Sequence, residues 1–377
     1  MSGTQEFPDA LPRGPVRGRG AGLNPANRFQ PLRLHILGDH LDEVVADAPD
    51  GTQVRTQVFR DASRSVVTKV DSPDLGLSWT LNPYRGCEHG CIYCYARPTH
   101  EYLGFSSGLD FETRIMVKTD APELLRKFLG SSAWDGAPIS FSGVTDPYQP
   151  VESKLRITRR CLEVLLEHRQ PVSVITKNKL ILRDLDILSG LCAYGLVRCA
   201  VSLTTLDNDV AAKMEPRASS PRARLETIRS LAAAGIPVCA MLAPIIPGLT
   251  DREIPALLKA AADAGATSAG YVLLRLPYQI KALFTEWLAR NFPARAAHLE
   301  SLIRGCRGGS LYQSAFFERQ RGTGEHAAQI AQAFAVFSKR TGLDGGRGAM
   351  LPPVNRADKA VRRPAPESQP SLFEDAL

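Results

Sequence analysis

No apolar run in the 377 residues approaches the roughly 18 residues a membrane span needs. The opening Met1-Ser2-Gly3-Thr4-Gln5-Glu6 lacks the apolar core of a signal peptide. A reducing cytoplasm is therefore the expected compartment, with no membrane partner. Two further motifs are missing. No Gly-x-Gly-x-x-Gly follows the first strand signal, which argues against a dinucleotide-binding fold. No second Cys-x2-Cys pair accompanies the one at Cys91 and Cys94, so a zinc site built from paired knuckles is not available. Residues 1–50 are rich in Gly, Pro and Arg and carry no sustained period. They read as a disordered basic extension, with Arg17-Gly18-Arg19-Gly20-Ala21-Gly22 too flexible to pack. What remains is a globular composition, 44% hydrophobic and 23% charged, with a formal net charge of +7. Such an excess can attract nucleic acid, although Arg13, Arg17, Arg19, Arg362 and Arg363 lie in terminal stretches.

Of eight cysteines, five stand singly in apolar settings and read as core thiols. The other three, Cys87, Cys91 and Cys94, share the stretch Asn82-Pro83-Tyr84-Arg85-Gly86-Cys87-Glu88-His89-Gly90-Cys91-Ile92-Tyr93-Cys94-Tyr95-Ala96. Thiolates this close in sequence can turn inward on a short loop and hold a cluster or a metal. Three of them bind three irons of a cubane and leave the fourth iron open. Zinc is the rival, with His89 as fourth ligand. A disulfide would leave one thiol unpaired.

Downstream, strand and helix signals alternate. Strands are expected at 111–118, 138–144, 172–175, 197–203, 238–246 and 271–276, with helices at 121–128, 153–168, 180–194, 252–264 and from Ile280. A helix opens at Ser220 as N-cap with Pro221 in its first turn and runs to Gly235. Weak alternation between Thr52 and Val70 suggests short strands leading to one at Trp79 and Leu81. Strands alternating with helices of this length give right-handed crossovers and a parallel sheet. About six strands fall short of a closed barrel of eight, so an open α/β partial (β/α)6 TIM-like barrel is expected over 51–290. Residues 291–342 form a helical cap and 343–377 a disordered tail.

The cysteine stretch resembles the cluster motif of radical S-adenosylmethionine (SAM) enzymes, with Tyr93 in the aromatic slot before the third cysteine. Together with Gly143-Val144-Thr145-Asp146-Pro147-Tyr148-Gln149-Pro150 and Ala243-Pro244-Ile245-Ile246-Pro247-Gly248 it is similar to the DNA-repair-photolyase-like branch related to spore photoproduct lyase. The resemblance implies that Cys87, Cys91 and Cys94 hold a [4Fe–4S] cluster and that SAM chelates its open iron. It implies SAM contacts at the strand ends: Thr145 and Asp146 for the amino group, Lys177 for the carboxylate, Ser202 and Thr204 near the ribose, and Ala243 to Pro247 against the adenine. A one-electron reductant such as flavodoxin or ferredoxin would prime the cluster. The resulting 5′-deoxyadenosyl radical would abstract hydrogen from a substrate, with nucleic acid a candidate. Tyr93 and Tyr95 match tyrosines of that branch and could relay a radical or pack beneath the cluster. Gln149 and Glu152 could face substrate or cap a helix. Gly143 stands where those lyases carry a hydrogen-donating cysteine, which argues against pyrimidine-photoproduct reversal. The third alternative is a zinc-binding, non-enzymatic nucleic-acid-binding protein.

Overall fold

The computed structural model describes residues 18–29 and 54–345. Ten strands appear in chain order: β1 Gln57–Arg60, β2 Val67–Lys69, β3 Trp79–Leu81, β4 Tyr84–Arg85, β5 Arg114–Val117, β6 Ile139–Phe141, β7 Val172–Thr176, β8 Val197–Ser202, β9 Val238–Ile245 and β10 Ser268–Leu273. Seven form one sheet in the order β10-β9-β8-β7-β6-β3-β2. The six from β3 to β10 pair in parallel, and β2 folds back antiparallel on β3. Among the described residues β10 and β2 do not pair, so the sheet is open with six parallel strands as expected, but β3 is its first parallel strand and the strand expected at 111–118 lies outside it. A small side sheet, β1-β5-β4, flanks the cysteine stretch.

The parallel strands alternate sharply. Val172, Val174, Val197, Cys199, Val201 and Val238 are buried against Leu162, Leu165, Leu188 and Ile228 of the covering helices. The intervening Ser173, Ile175, Arg198, Ala200, Cys239 and Met241 are only half-buried and line a cavity of about 850 Å³ inside the curve of the sheet. Closed parallel barrels fill that space with branched apolar side chains. Here the short side chains of Ser140, Ser173, Ala200 and Cys239 do not fill it.

Several boundaries differ from the expectation. The strand expected at 111–118 begins only at Arg114, because Leu109–Thr113 is helical. That turn aims Glu112 inward, where Arg97 Nη2 (2.5 Å) and the amides of Gly20 (3.0 Å) and Ala21 (2.8 Å) donate to its carboxylate. Tertiary hydrogen bonding overrides the local alternation there. The helix expected at 153–168 is split into Glu152–Leu155 and Ile157–Glu167 by Arg156 at φ 53°. The last strand runs 268–273 rather than 271–276, since pairing with β9 recruits Ser268, Ala269 and Gly270 despite their weak strand preference. The helix at Pro221–Ala233 starts as expected, with Ser220 Oγ accepting from the Ala223 amide at 3.3 Å.

The N-terminal expectation is corrected for residues 18–22. Ala21 is buried, and Gly20 lies so near Gly90 that a Cβ on it would stand 1.8 Å from the Gly90 carbonyl oxygen. Lack of a side chain, taken as a sign of looseness, is what lets this backbone lie against the cysteine loop. Residues 23–29 and 343–345 are corrected likewise: Asn27 Nδ2 donates to Glu101 O at 2.9 Å, and Leu343 is buried with its amide donating to Ser338 O at 2.8 Å, while 1–17, 30–50 and 346–377 lie outside the described residues. At the other end, Ala327 and Ile330 of the helix Glu325–Arg340 pack with Ala240, Leu242 and Tyr271 on the outer face of β9 and β10. This last helix therefore covers the barrel wall, not its mouth. The helix Ala296–Gly305 sits nearer the mouth, its Leu299 and Ile303 clustered with Ile92 and Tyr93.

Candidate active site

The cysteine loop leaves β4 and ends in the short helix Arg97–Leu103. Gly86 (φ 80°) and Gly90 (φ 68°) make its two left-handed bends. The loop is held from all sides. The Cys87 amide donates to Phe111 O (2.9 Å), the Ile92 amide to Met214 O (3.0 Å), and Arg97 Nε to Cys91 O (2.9 Å). Gln149 spans the loop, donating to Gly86 O at 3.2 Å and accepting from the Glu88 amide at 3.0 Å. Gln149 is thus a brace. So is Glu152, fully buried and bonded by Tyr84, Arg183 and the Thr158 amide; neither side chain is left for a substrate.

All three thiols are free of disulfides, Cys87 buried and Cys91 and Cys94 half-buried. Burial pushes the Cys94 thiol up to about 11, with the neighbouring Cys87 adding to the rise. Burial likewise raises Cys91, helped by Glu215 and opposed by Lys177. Cys91 and Cys94 therefore ionise only with positive charge beside them, as the irons of an iron–sulfur cluster would supply. Among the described residues no three His, Cys, Asp or Glu side chains converge as a single metal ion requires. A cube of four irons and four sulfides spreads its thiolates wider than one zinc does. His89, the expected fourth zinc ligand, interacts with Cys87 and has neighbours at both ring nitrogens. Its Nδ1 lies 3.3 Å from Asp146 Oδ2 and its Nε2 is 3.3 Å from Asn178 Nδ2. Burial opposes its charge, but Asp146 and Cys87 together raise it to about 10.

The strand ends bring most of the expected SAM residues to the same mouth. Lys177 Nζ donates to Ala243 O at 3.3 Å, lies 3.7 Å from Glu215 Oε1 and stands 5.9 Å over the Tyr93 ring. Asp146 has no free oxygen. It accepts from Thr176 Oγ1 (2.7 Å) and from the amides of Tyr148 (2.9 Å) and Lys177 (2.8 Å), besides contacting His89. Asp146 ties the cysteine loop to the ends of β6 and β7. Thr145 Oγ1 donates to Tyr84 O at 3.2 Å. Ser202 is buried at the end of β8, its carbonyl accepting from Arg224 at 3.1 Å.

Sequence reasoning missed the group that organises this mouth. Glu215 is buried and accepts from Tyr93, Arg224 and Thr204 Oγ1 (2.8 Å), with Lys177 alongside. Asp207 caps the preceding helix Asn208–Met214 through the amides of Asp209 and Val210; the Asp-Asn-Asp run was the available signal. Tyr93 and Tyr95 occupy different settings. Tyr93 is buried among Ile92, Met214 and Ile246. Tyr95 is half-exposed at the cavity, its hydroxyl donating to Gly143 O at 2.6 Å and the Arg275 guanidinium 5.3 Å from its ring centre.

A radical SAM superfamily profile matches residues 81–261. An uncharacterized protein of Mycobacterium tuberculosis is 36% identical over 244 residues, covering 64% of this chain and 72% of that protein. A radical SAM Nα-GlyT isomerase of Pseudomonas phage M6 is 27% identical over 173 residues, 45% of this chain and 34% of the isomerase. Among solved structures, a cysteine-to-serine mutant of spore photoproduct lyase superposes with a TM-score of 0.53 at 17% identity, covering 77% of this chain and 80% of the lyase. The chain belongs to the radical SAM superfamily and is an enzyme of that class. Its fold is similar to that of spore photoproduct lyase. Among the described residues no helix is long and apolar enough to cross a membrane.

Proposed function

We propose that this enzyme binds a [4Fe–4S] cluster through Cys87, Cys91 and Cys94 and SAM at the adjoining strand ends, and removes a hydrogen atom from a substrate, with nucleic acid the first class to test. The observation that carries the reading is three free thiols on one loop braced by Gln149 and Arg97, with Lys177 held on Ala243 O beside Glu215 at the strand ends of an open barrel. When bound, the pair supplies a 5′-deoxyadenosyl radical after reduction by a one-electron donor such as flavodoxin or ferredoxin. This chain's residues do the rest. Lys177 offers a compact cation to the SAM carboxylate. Thr145, Ser202 and the Ala243 carbonyl present polar groups around the remainder of the molecule. Asp146 holds the Lys177 backbone and His89 in register, so its part is positioning. Tyr93, anchored on Glu215, keeps the loop packed and the site dry.

Nucleic acid is supported by the net charge of +7 and by the likeness to spore photoproduct lyase. The narrower reading, reversal of a pyrimidine photoproduct, has less support. Gly143 replaces the donor cysteine, and a Cβ there would stand 2.6 Å from Thr80 Cγ2.

The test is anaerobic reconstitution, iron and sulfide analysis, and an assay for 5′-deoxyadenosine from SAM and dithionite. About four irons and four sulfides per chain are expected, with cleavage abolished in Cys91→Ala. One zinc, no cluster and no cleavage would refute the reading and favour a zinc-binding protein.

A further inference from the structure

The open barrel interior is polar in an ordered way. Register places Thr80 beside Ser140, Ser140 beside Ser173 and Ser173 beside Arg198, one residue from each of β3, β6, β7 and β8. All four line the 850 Å³ cavity. They form a row across neighbouring strands about 4.8 Å apart. Among the described residues the only other charged side chains on the wall are Lys69 and Asp71, which lie 3.9 Å from each other. Arg198 is thus the uncompensated charge of the chamber. Among the described residues the side chains of Ser140, Ser173 and Arg198 make no hydrogen bond to another protein group. A half-buried guanidinium and two hydroxyls without protein partners, directed into a cavity, are donors set out for an anion.

We propose that this row is a binding site for an anionic group, phosphate or carboxylate, carried by the substrate. The proposal rests on the reading of the mouth as the place of radical chemistry. Arg198 lies four residues before Ser202 at the end of β8, a rise of about 13 Å. The substrate therefore has its anionic end about that far from the hydrogen it loses. A chamber of 850 Å³ accepts a whole molecule of nucleotide size rather than the tip of one. A flipped-out nucleotide with its phosphate fits this length, as does a free metabolite with a terminal acid.

The test is isothermal titration of the reconstituted full-length protein with inorganic phosphate, thymidine 5′-monophosphate, thymidine and succinate. One site is expected, shared by phosphate and thymidine 5′-monophosphate, with thymidine weaker by about tenfold or more, the worth of one charge-assisted contact. Succinate binding at that site without phosphate binding would support the anion site and identify the ligand as a carboxylate. Arg198→Gln is expected to weaken the bound anion by about tenfold or more and Arg198→Lys by less. Equal affinity in wild type and both variants would mark surface ions and overturn the proposal, as would no binding of any anion. Should Arg198→Gln fail to fold, Arg198→Lys and Ser173→Ala carry the test, each expected to lower affinity and each overturning the proposal if unchanged. Cleavage of SAM by the same wild-type sample separates the two readings. Arg198-dependent binding without 5′-deoxyadenosine overturns the radical reading alone, and 5′-deoxyadenosine with Arg198-indifferent binding overturns the anion site alone.

Discussion

Glu215 is the side chain whose loss this fold should feel most. Its carboxylate faces Arg224, whose side chain is 2% exposed, and also receives Tyr93 and Thr204, with Lys177 3.7 Å away. Glu215→Gln keeps the shape and one acceptor oxygen but removes the negative charge, leaving two cations facing a neutral amide. Breaking a buried ion pair from one side costs about 3–5 kcal/mol. Native stability is about 5–15 kcal/mol, so the variant should lose a large fraction of it. At roughly 2 °C per kcal/mol for a chain of this size, its Tm should fall by about 6 °C or more. Tyr93→Phe removes one neutral donor and should cost only about 1 kcal/mol. Urea denaturation gives both values, and a cycle with Arg224→Met isolates the pair. A loss under about 1 kcal/mol in Glu215→Gln, or a coupling under about 0.5 kcal/mol in the cycle, would refute the assignment of Glu215 as the electrostatic anchor of the mouth.

The remaining predictions concern other parts of the molecule. The Arg319 guanidinium, bonded to Asp74 at 2.5 and 2.7 Å, holds that carboxyl down to about 2. The pair should contribute about 2 kcal/mol above pH 4, lost as pH falls from about 4 toward 2, so that wild type and Asp74→Asn converge in urea stability at acid pH and diverge near neutrality. A gap that is constant with pH would contradict this. Gly20→Ala forces a methyl onto the Gly90 carbonyl and should cost about 1–3 kcal/mol, read as a lower urea midpoint; an unchanged midpoint would show that residues 18–22 do not dock as described. Lys177→Met should raise the SAM concentration for half-maximal 5′-deoxyadenosine formation by about tenfold or more, while an unchanged value would remove Lys177 from the SAM site.

Features confined to neighbouring residues were legible in the sequence. The three cysteines and their glycines lie within nine positions, and the strand–helix alternation is a local period. The polar strand ends at Lys177 and Ala243 followed from the topology that the alternation implied. What could not be read depends on separation. Tyr93 reaches Glu215 across 122 positions, and Gly20 reaches Glu112 across 92. No local pattern distinguishes such a glutamate from one on a solvated face. Gln149 and Glu152 follow β6 as the sequence implies, but whether they face substrate or brace the loop is decided by Gly86, Tyr84 and Arg183, on other elements. The Gly-rich N-terminal run was misread because the same absence of side chains permits both wandering and close docking.

The alternation along β7, β8 and β9 divides two kinds of selection between odd and even positions. Val172, Val174, Val201 and Val238 are committed to the covering helices, where a lost methylene is felt as a void. Ser173, Arg198, Ala200 and Cys239, one step along the same strands, face open space and have little packing to lose. Substitutions at the inward set can therefore change which molecule is accepted without first passing through an unfolded ancestor. A scaffold of this kind can diversify its substrates quickly while its outer face changes slowly.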